Sequence, residues 1–229
     1  MSKTVRKFRV GVDIGGTFTD IVFLSDDGQV LARKVASTPN DYSQAVLDGI
    51  NSGIQELGIT AEMVMEVSHG FTVATNAIIE QKGAKTALIT SEGFRDVLEF
   101  RRNRIPRLYD LHYEKPPPLV KRQFRLEVSE RLNFQGEVLK PLDKAGVDRA
   151  IQYVAENDIE SVAICLLHSY ANPDHEQFVA KELADKVPDV NLTISSELLP
   201  EMKEYERTST TVINGYVRPV VERYLTRLT

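Results

Sequence analysis

Val10-Gly11-Val12-Asp13-Ile14-Gly15-Gly16-Thr17-Phe18-Thr19-Asp20-Ile21-Val22 decides how this chain is read. Two apolar runs flank Gly-Gly-Thr, the pattern of a β-hairpin with a tight turn. Glycines let the turn bend sharply and let a ligand approach the backbone. Successive N–H groups in such a turn form a concavity that favours anions. The residue types fit a nucleotide phosphate. Gly15, Gly16, Thr17 and Thr19 serve as donors, Asp20 completes the string, and Asp13 is placed to hold a Mg²⁺ ion or its water beside the phosphate. The plainer alternative is a tight hairpin whose aspartate caps its own turn.

Outward from the hairpin, residues 8–14 and 19–24 read as its strands. A turn at Asp26-Asp27-Gly28 leads to a third strand over 29–36. Thr38-Pro39-Asn40-Asp41 reads as a helix start, followed at helical spacing by Tyr42, Ala45, Val46, Ile50, Ile54 and Leu57. Strands and helices then alternate. Strands are predicted at 63–68, 85–90, 161–167 and 190–195. Helices are predicted at 73–81, 93–98, 143–157, after Asn172-Pro173, and over 204–228, the last bent by Pro219. The pattern defines an α/β protein with a mixed sheet and flanking helices. Residues 100–142, with Pro106, Pro116, Pro117 and Pro118 and a hairpin near Asn133-Phe134-Gln135-Gly136, read as a small inserted arm. The expected division is a flexible terminus over 1–7, one domain over 8–203, and the start of a following domain or connecting helix over 204–229.

Charge and composition narrow the function. A net charge of −5 lacks the basic face that nucleic acid requires. No apolar run approaches the roughly 20 residues of a membrane span, and the first residues do not form a signal peptide. The only cysteine, Cys165, sits in the apolar run Val162-Ala-Ile-Cys-Leu-Leu167 and reads as a buried small hydrophobe. The cytoplasm is the expected compartment.

Four other clusters carry polar chemistry. Ser68-His69-Gly70-Phe71-Thr72-Val73-Ala74-Thr75-Asn76 falls at a strand-to-helix junction, where α/β sheets bind ligands. His69 is a candidate for proton transfer, and Thr72, Thr75 and Asn76 for substrate contacts; a helix cap and a loop histidine are the alternative. Arg102, in Phe100-Arg-Arg-Asn-Arg-Ile-Pro-Arg107, is a candidate anion clamp, weighed against a solvated loop. His168 and His175 do not have zinc spacing, and Asn172-Pro173-Asp174 reads as a helix start. Glu204-Tyr-Glu-Arg-Thr-Ser-Thr210 reads as a solvated, self-paired helix start.

Taken in order, several strings resemble the N-terminal part of the hydantoinase A/5-oxoprolinase family. They are Val12 to Asp20, His69-Gly-Phe-Thr-Val-Ala-Thr-Asn76, Gly83-Ala-Lys-Thr-Ala-Leu-Ile-Thr90, Glu92-Gly-Phe-Arg-Asp-Val-Leu98, Leu108-Tyr-Asp-Leu111, His168-Ser-Tyr170, and Leu199-Pro-Glu201 through Glu206-Arg-Thr-Ser-Thr-Thr211. The resemblance implies an RNase H-like fold of the actin, sugar kinase and chaperone ATPase superfamily. It implies ATP and Mg²⁺ as cofactors and phosphorylation of a carbonyl oxygen on a cyclic amide before ring opening, or on a ketone before carboxylation. By this analogy Asp13, Thr17 and His69 are catalytic, and Gly15, Gly16, Thr17, Thr19 and Asp20 hold the nucleotide. Thr72, Thr75, Asn76 and Arg102 face the substrate. Two departures stand out. Phe71 replaces the usual threonine, and a second lobe with its own phosphate loop is not in the chain. The expectation is half of an ATP cleft, completed by a second lobe or partner subunit in an oligomer, with little activity alone. A non-catalytic lobe that only contributes interface is the alternative.

Overall fold

A computed structural model describes residues 6–38, 42–102, 109–110 and 112–228. The elements are β1 (Phe8–Ile14), β2 (Phe18–Ser25), β3 (Val30–Ala36), α1 (Tyr42–Leu57), β4 (Val64–Phe71) and α2 (Val73–Ile79), then β5 (Thr86–Ser91), α3 (Val97–Phe100), β6 (Arg125–Val128), β7 (Arg131–Leu132) and β8 (Val138–Lys140). They are followed by α4 (Lys144–Glu156), β9 (Ser161–Cys165), α5 (Asp174–Lys186), β10 (Asn191–Ile194), α6 (Ser195–Leu198) and α7 (Glu204–Leu228). The chain is α/β. Contacts group it into two compact units, Met1–Lys82 with Val220–Thr229, and Gly83–Pro219. The expected helix start at 39–41 and the arginine run over 103–107 lie outside the described residues.

The first unit is a four-stranded mixed sheet in the order β3-β2-β1-β4, with β1 antiparallel to β2 and parallel to β4. Strict alternation along β1 buries Phe8, Val10, Val12 and Ile14 on one face. With Ile21, Phe23, Val46, Val73 and Tyr224 they form one core, onto which Ile50 and Ile54 of α1 pack. The opposite parity leaves Asp13, Phe18, Asp20, Val22 and Leu24 on the open face. α1 comes close because it carries glycine where it crosses the sheet. A Cβ built on Gly53 would lie 2.2 Å from Phe23 Cε2.

The second unit is a separate sheet, all parallel, in the order β10-β9-β5-β6. Every residue of β5 and β9 is buried, as expected when helices cover both faces. Ala87, Ile89, Val162 and Ile164 pack with Val147, Ile151 and Val154 of α4 and with Val179 and Leu183 of α5. Leu88, Ala163 and Cys165 face the other way, toward Leu98 and Val212. Two expectations are corrected. Part of the presumed inserted arm is not an insertion, because β6 pairs in register with β5, Leu88 opposite Arg125 through Ser91 opposite Val128. Residues 131–140 do form the expected hairpin, β7–β8, whose turn is closed by Gly136 N–H donating to Asn133 O at 3.0 Å.

The second correction concerns the start of α7, which is a polar core and not a solvated surface. The Arg207 side chain is 1% exposed and lies 4.0 Å from the fully buried Glu176. It donates to the hydroxyls of Ser169 and Ser195. Glu176 accepts from Leu166 N at 2.7 Å, Ser195 Oγ at 2.6 Å and Ser196 N at 2.9 Å. Burying a charge is tolerated when it is paired and hydrogen-bonded; here the carboxylate is well supplied, while Arg207 Nε is buried without a hydrogen-bond partner. Cys165 is buried beside Thr208 Oγ1 at 3.2 Å, and burial pushes its thiol pKa up.

The packing of α1 gives a prediction whose sign opposes helix propensity. Gly53→Ala should gain about 1 kcal/mol from propensity but must displace a buried aromatic ring, which costs about 1–3 kcal/mol. The variant is expected to unfold at lower urea concentration than the wild type. A higher midpoint would show that Phe23 yields without cost.

Candidate phosphate-binding hairpin

The turn between β1 and β2 is built by side chains behind it. Gly15 N–H donates to Phe18 O at 3.0 Å and closes it. Ser37, just past β3, donates its N–H to Thr17 O at 2.9 Å and its hydroxyl to Gly15 O at 2.8 Å. Behind β1, Ile14 O accepts both the N–H of Thr72 at 3.2 Å and its hydroxyl at 3.0 Å. Asn76 Nδ2 in turn donates to Thr72 Oγ1 at 3.2 Å. The glycines serve close approach here and not a left-handed backbone. Neither Gly15 nor Gly16 has positive φ. A Cβ on Gly15 would meet Phe18 O at 2.9 Å, and one on Gly16 would meet Asn76 Nδ2 at 3.1 Å.

These clamps leave specific groups unspent. Among the described residues, the N–H groups of Gly16 and Thr17, the Thr17 hydroxyl and the Asp13 carboxylate have no partner. Asp13 is exposed at the carboxyl end of β1. Its neighbour on β4 is Gly70, whose missing side chain leaves the carboxylate uncovered. Across the antiparallel ladder Asp13 faces Asp20 directly. Like charges so placed repel. Lys34, opposite Asp20 on β3, relieves half of this with an ion pair at 2.9 Å. Its ammonium also lies 5.3 Å above the Phe18 ring. Asp13 is left as the free negative charge beside two free donors.

The predicted residues therefore divide. Asp13, Gly15, Gly16 and Thr17 are together on one turn. Thr19 is 0% exposed, and its hydroxyl is 3.0 Å from Ser37 Oγ, so it holds the turn from inside. Asp20 is occupied by Lys34. Thr72 and Asn76 tie α2 to β1, while Thr75 is exposed on α2. Arg102 belongs to the second unit, where its Nε and Nη2 donate to the Glu206 carboxylate, both at 2.6 Å. That bidentate contact holds the Glu206 carboxyl below the usual range. The pattern-based reading missed Ser37, which no motif marks, and Tyr224, which lies 155 positions from His69.

His69, on β4, is exposed and held by an aromatic group. Its Nδ1 lies 3.2 Å from Tyr224 Oη, and Phe71 stacks on it at 5.9 Å. Phe71 and Tyr224 are themselves 5.2 Å apart, and both pack into the first core. Phe71 thus fills apolar space where the resemblance expects a hydroxyl. Burial pushes the Tyr224 phenol up to about 12, so the hydroxyl keeps its proton at neutral pH. Where that hydroxyl donates to Nδ1, the imidazole proton is on Nε2.

Comparison with known proteins agrees with this architecture. The chain matches the family model described as hydantoinase/oxoprolinase N-terminal region over residues 9–187, and it belongs to that family. It is 38% identical to caprolactamase subunit alpha of Pseudomonas jessenii over 234 residues, which cover 100% of this chain and 33% of that one. It is 31% identical to 5-oxoprolinase 1 of Arabidopsis thaliana, over 96% of this chain and 19% of that one. The crystal structure of the ATP-dependent caprolactamase superposes with a TM-score of 0.86 over 96% of this chain and 33% of that chain, at 37% identity. The nucleotide-free structure of an acetone carboxylase, described for ATP-dependent acetone carboxylation, also gives 0.86, over 97% and 34%, at 27% identity. The chain thus spans about a third or less of the length of these relatives.

Tyr224→Phe keeps the ring contacts and removes only the hydroxyl. Loss of one hydrogen bond should cost about 1 kcal/mol, or about 2–4 °C in Tm for a chain of this size. In long-range ¹H–¹⁵N spectra at pH 8, His69 Nδ1 should show an acceptor-type shift in the wild type and move in the variant. An Nδ1–H signal in the wild type would reverse the assignment of donor and acceptor.

Proposed function

We propose that the Gly15–Phe18 turn holds the phosphates of ATP·Mg²⁺. The chain then supplies one lobe of an ATP-dependent enzyme that phosphorylates the carbonyl oxygen of a cyclic amide so that the ring can be opened. One observation carries this reading: two adjacent backbone N–H groups, a hydroxyl and a carboxylate without partners among the described residues share the turn. Gly16 and Thr17 N–H and the Thr17 hydroxyl are donors for phosphate oxygens. A single free carboxylate suits Mg²⁺, which binds through one or two carboxylates plus phosphate. Asp13 is the residue to hold the ion or its water, and the repulsion between Asp13 and Asp20 favours a cation there. When bound, Mg²⁺ neutralises charge on the transferring phosphoryl group.

The chemistry needs little else from this lobe. An amide oxygen is a poor leaving group and a phosphorylated one a good one, so positioning and charge neutralisation supply most of the rate. In this reading His69 orients a substrate oxygen or takes part in proton transfer, and its exposure on β4 supports that role, with Thr75 as a further exposed hydroxyl. Arg102 is self-paired and is a weaker substrate contact. The second reading, a ketone-carboxylase subunit, is favoured by the acetone carboxylase superposition, which is as close in TM-score as that of caprolactamase. The higher identity to caprolactamase favours the amide. The subunit designation of that relative supports a partner chain or second lobe that completes the cleft, in an oligomer. Among the described residues no helix is long and apolar enough to cross a membrane. A cytoplasmic setting fits the single buried cysteine.

The test is a titration followed residue by residue. On adding ATP·Mg²⁺, the amide resonances of Gly16 and Thr17 should shift, and Asp13→Ala should weaken the Mg²⁺-dependent part about ten-fold, equivalent to about 1.4 kcal/mol. Unmoved Gly16 and Thr17 signals at millimolar ATP·Mg²⁺ would remove the turn from the nucleotide site. The chain alone is expected to show negligible ATP turnover with caprolactam or 5-oxoproline; robust substrate-stimulated hydrolysis would refute the half-cleft.

A further inference from the structure

The second unit carries a groove of about 600 Å³ beside β6, the edge strand of its sheet. Four arginines line it, Arg95, Arg122, Arg125 and Arg149, with Tyr153 of α4 and, among the described residues, Glu127 as the one lining carboxylate. Such a concentration is unexpected in a chain of net charge −5. The volume falls within the range of small-molecule sites.

The donors of these arginines are only partly used. Arg122 is committed, with Nε and Nη2 donating to Asp96 at 3.0 and 2.9 Å. Arg125 is 1% exposed; its Nε and Nη2 donate to Val120 O at 3.0 and 2.9 Å, and Nη2 also to Glu99 at 2.8 Å. Its Nη1 is buried without a hydrogen-bond partner, 3.7 Å from Asp96 Oδ1. Arg95 donates no hydrogen bond among the described residues; its Nε is 3.5 Å from Glu127 and 4.0 Å from Asp96. Arg149 is 71% exposed and makes one contact, Nη2 to Asp143 at 3.2 Å. The Tyr153 hydroxyl has no partner among the described residues. Arg33 Nε and Arg207 Nε are likewise buried without a hydrogen-bond partner, so the unspent donors that bear on the groove are those of Arg95 and Arg149 and the Tyr153 hydroxyl.

We propose that this groove binds a small organic anion bearing at least two phosphate or carboxylate groups. Guanidinium forks match both groups in geometry. Arg95 and, on α4, Arg149 supply separated sets of donors, which a ligand with two anionic ends can bridge, and the buried Arg125, which also lines the groove, adds positive charge. Asp96, Glu99, Glu127 and Asp143 hold the arginines in place and also temper the local potential. For that reason a single small anion gains too little, and a second charged end is required. The inference is independent of nucleotide binding by the hairpin.

Calorimetric titration of the 229-residue chain at low salt without Mg²⁺ tests it. Pyrophosphate probes the phosphate class and glutarate the carboxylate class. At least one should bind saturably, and inorganic phosphate or acetate should bind at least about ten-fold more weakly. Arg95→Ala/Arg149→Ala changes two side chains at the surface, so the fold should persist by circular dichroism. Its affinity for the bound probe should fall about ten-fold or more, as should that of the wild type in 0.5 M salt. Saturable binding by neither probe overturns the proposal, as does affinity in the double variant within about two-fold of the wild type. Should the double variant fail to fold, Arg149→Ala alone is measured, with a loss of about three-fold or more expected and an unchanged affinity counting against the groove.

Discussion

The carbonyl of Ile14 is the point on which the first unit turns. It is the last of β1, and it accepts two hydrogen bonds from Thr72, the residue between β4 and α2. Those bonds fix where α2 starts, and Asn76 of α2 locks the Thr72 hydroxyl in place. From the opposite side Ser37 grips the carbonyls of Gly15 and Thr17. Each such bond is worth only about 1 kcal/mol net, but together they hold a turn whose Gly16 and Thr17 N–H groups face no partner among the described residues. The free N–H pair exists because residues outside the motif do the holding. A looser turn would satisfy its own amides or let them reach water in many orientations, and the preorganisation that electrostatic catalysis depends on would be lost.

Much of this was legible in the residue pattern. The three opening strands, α1, α4, α5, β9 and the full length of α7 follow from period and punctuation, because each is long and strongly patterned. The gathering of Asp13, Gly15, Gly16 and Thr17 follows from their adjacency. What was hidden depends on distance along the chain. Alternation marks a strand but does not say which sheet it joins, so the division into two sheets and the pairing of β6 with β5 were invisible. Thr19 and Asp20 look like ligand residues in the motif, yet one lies on the inward parity of β2 and the other meets Lys34 across the ladder. Glu204 to Thr210 reads as surface because it is rich in charge. Arg207 is nonetheless drawn inside by Glu176, Ser169 and Ser195, which come from other elements.

The buried Arg207–Glu176 pair also shows what polar cores contribute. Replacing such pairs by apolar residues is often neutral for stability. Here the network fixes direction: one carboxylate receives amides from the ends of β9 and β10, and one guanidinium docks the start of α7 on the same spot. An apolar patch would let the helix slide by a turn, whereas matched donors and acceptors admit one register.

The first unit is discontinuous, and that has a consequence for how the protein is made. Tyr224 is part of the same core as Phe8, so the last turns of α7 must arrive before that core is complete. A ribosome delivers residues in order. The whole of the inserted parallel sheet therefore emerges, and can fold, while the opening hairpin is still waiting for its final helix. Contacts of such long sequence separation form slowly. The β1–β2 turn is translated before the parallel sheet, and its unit is completed only when the end of α7 arrives.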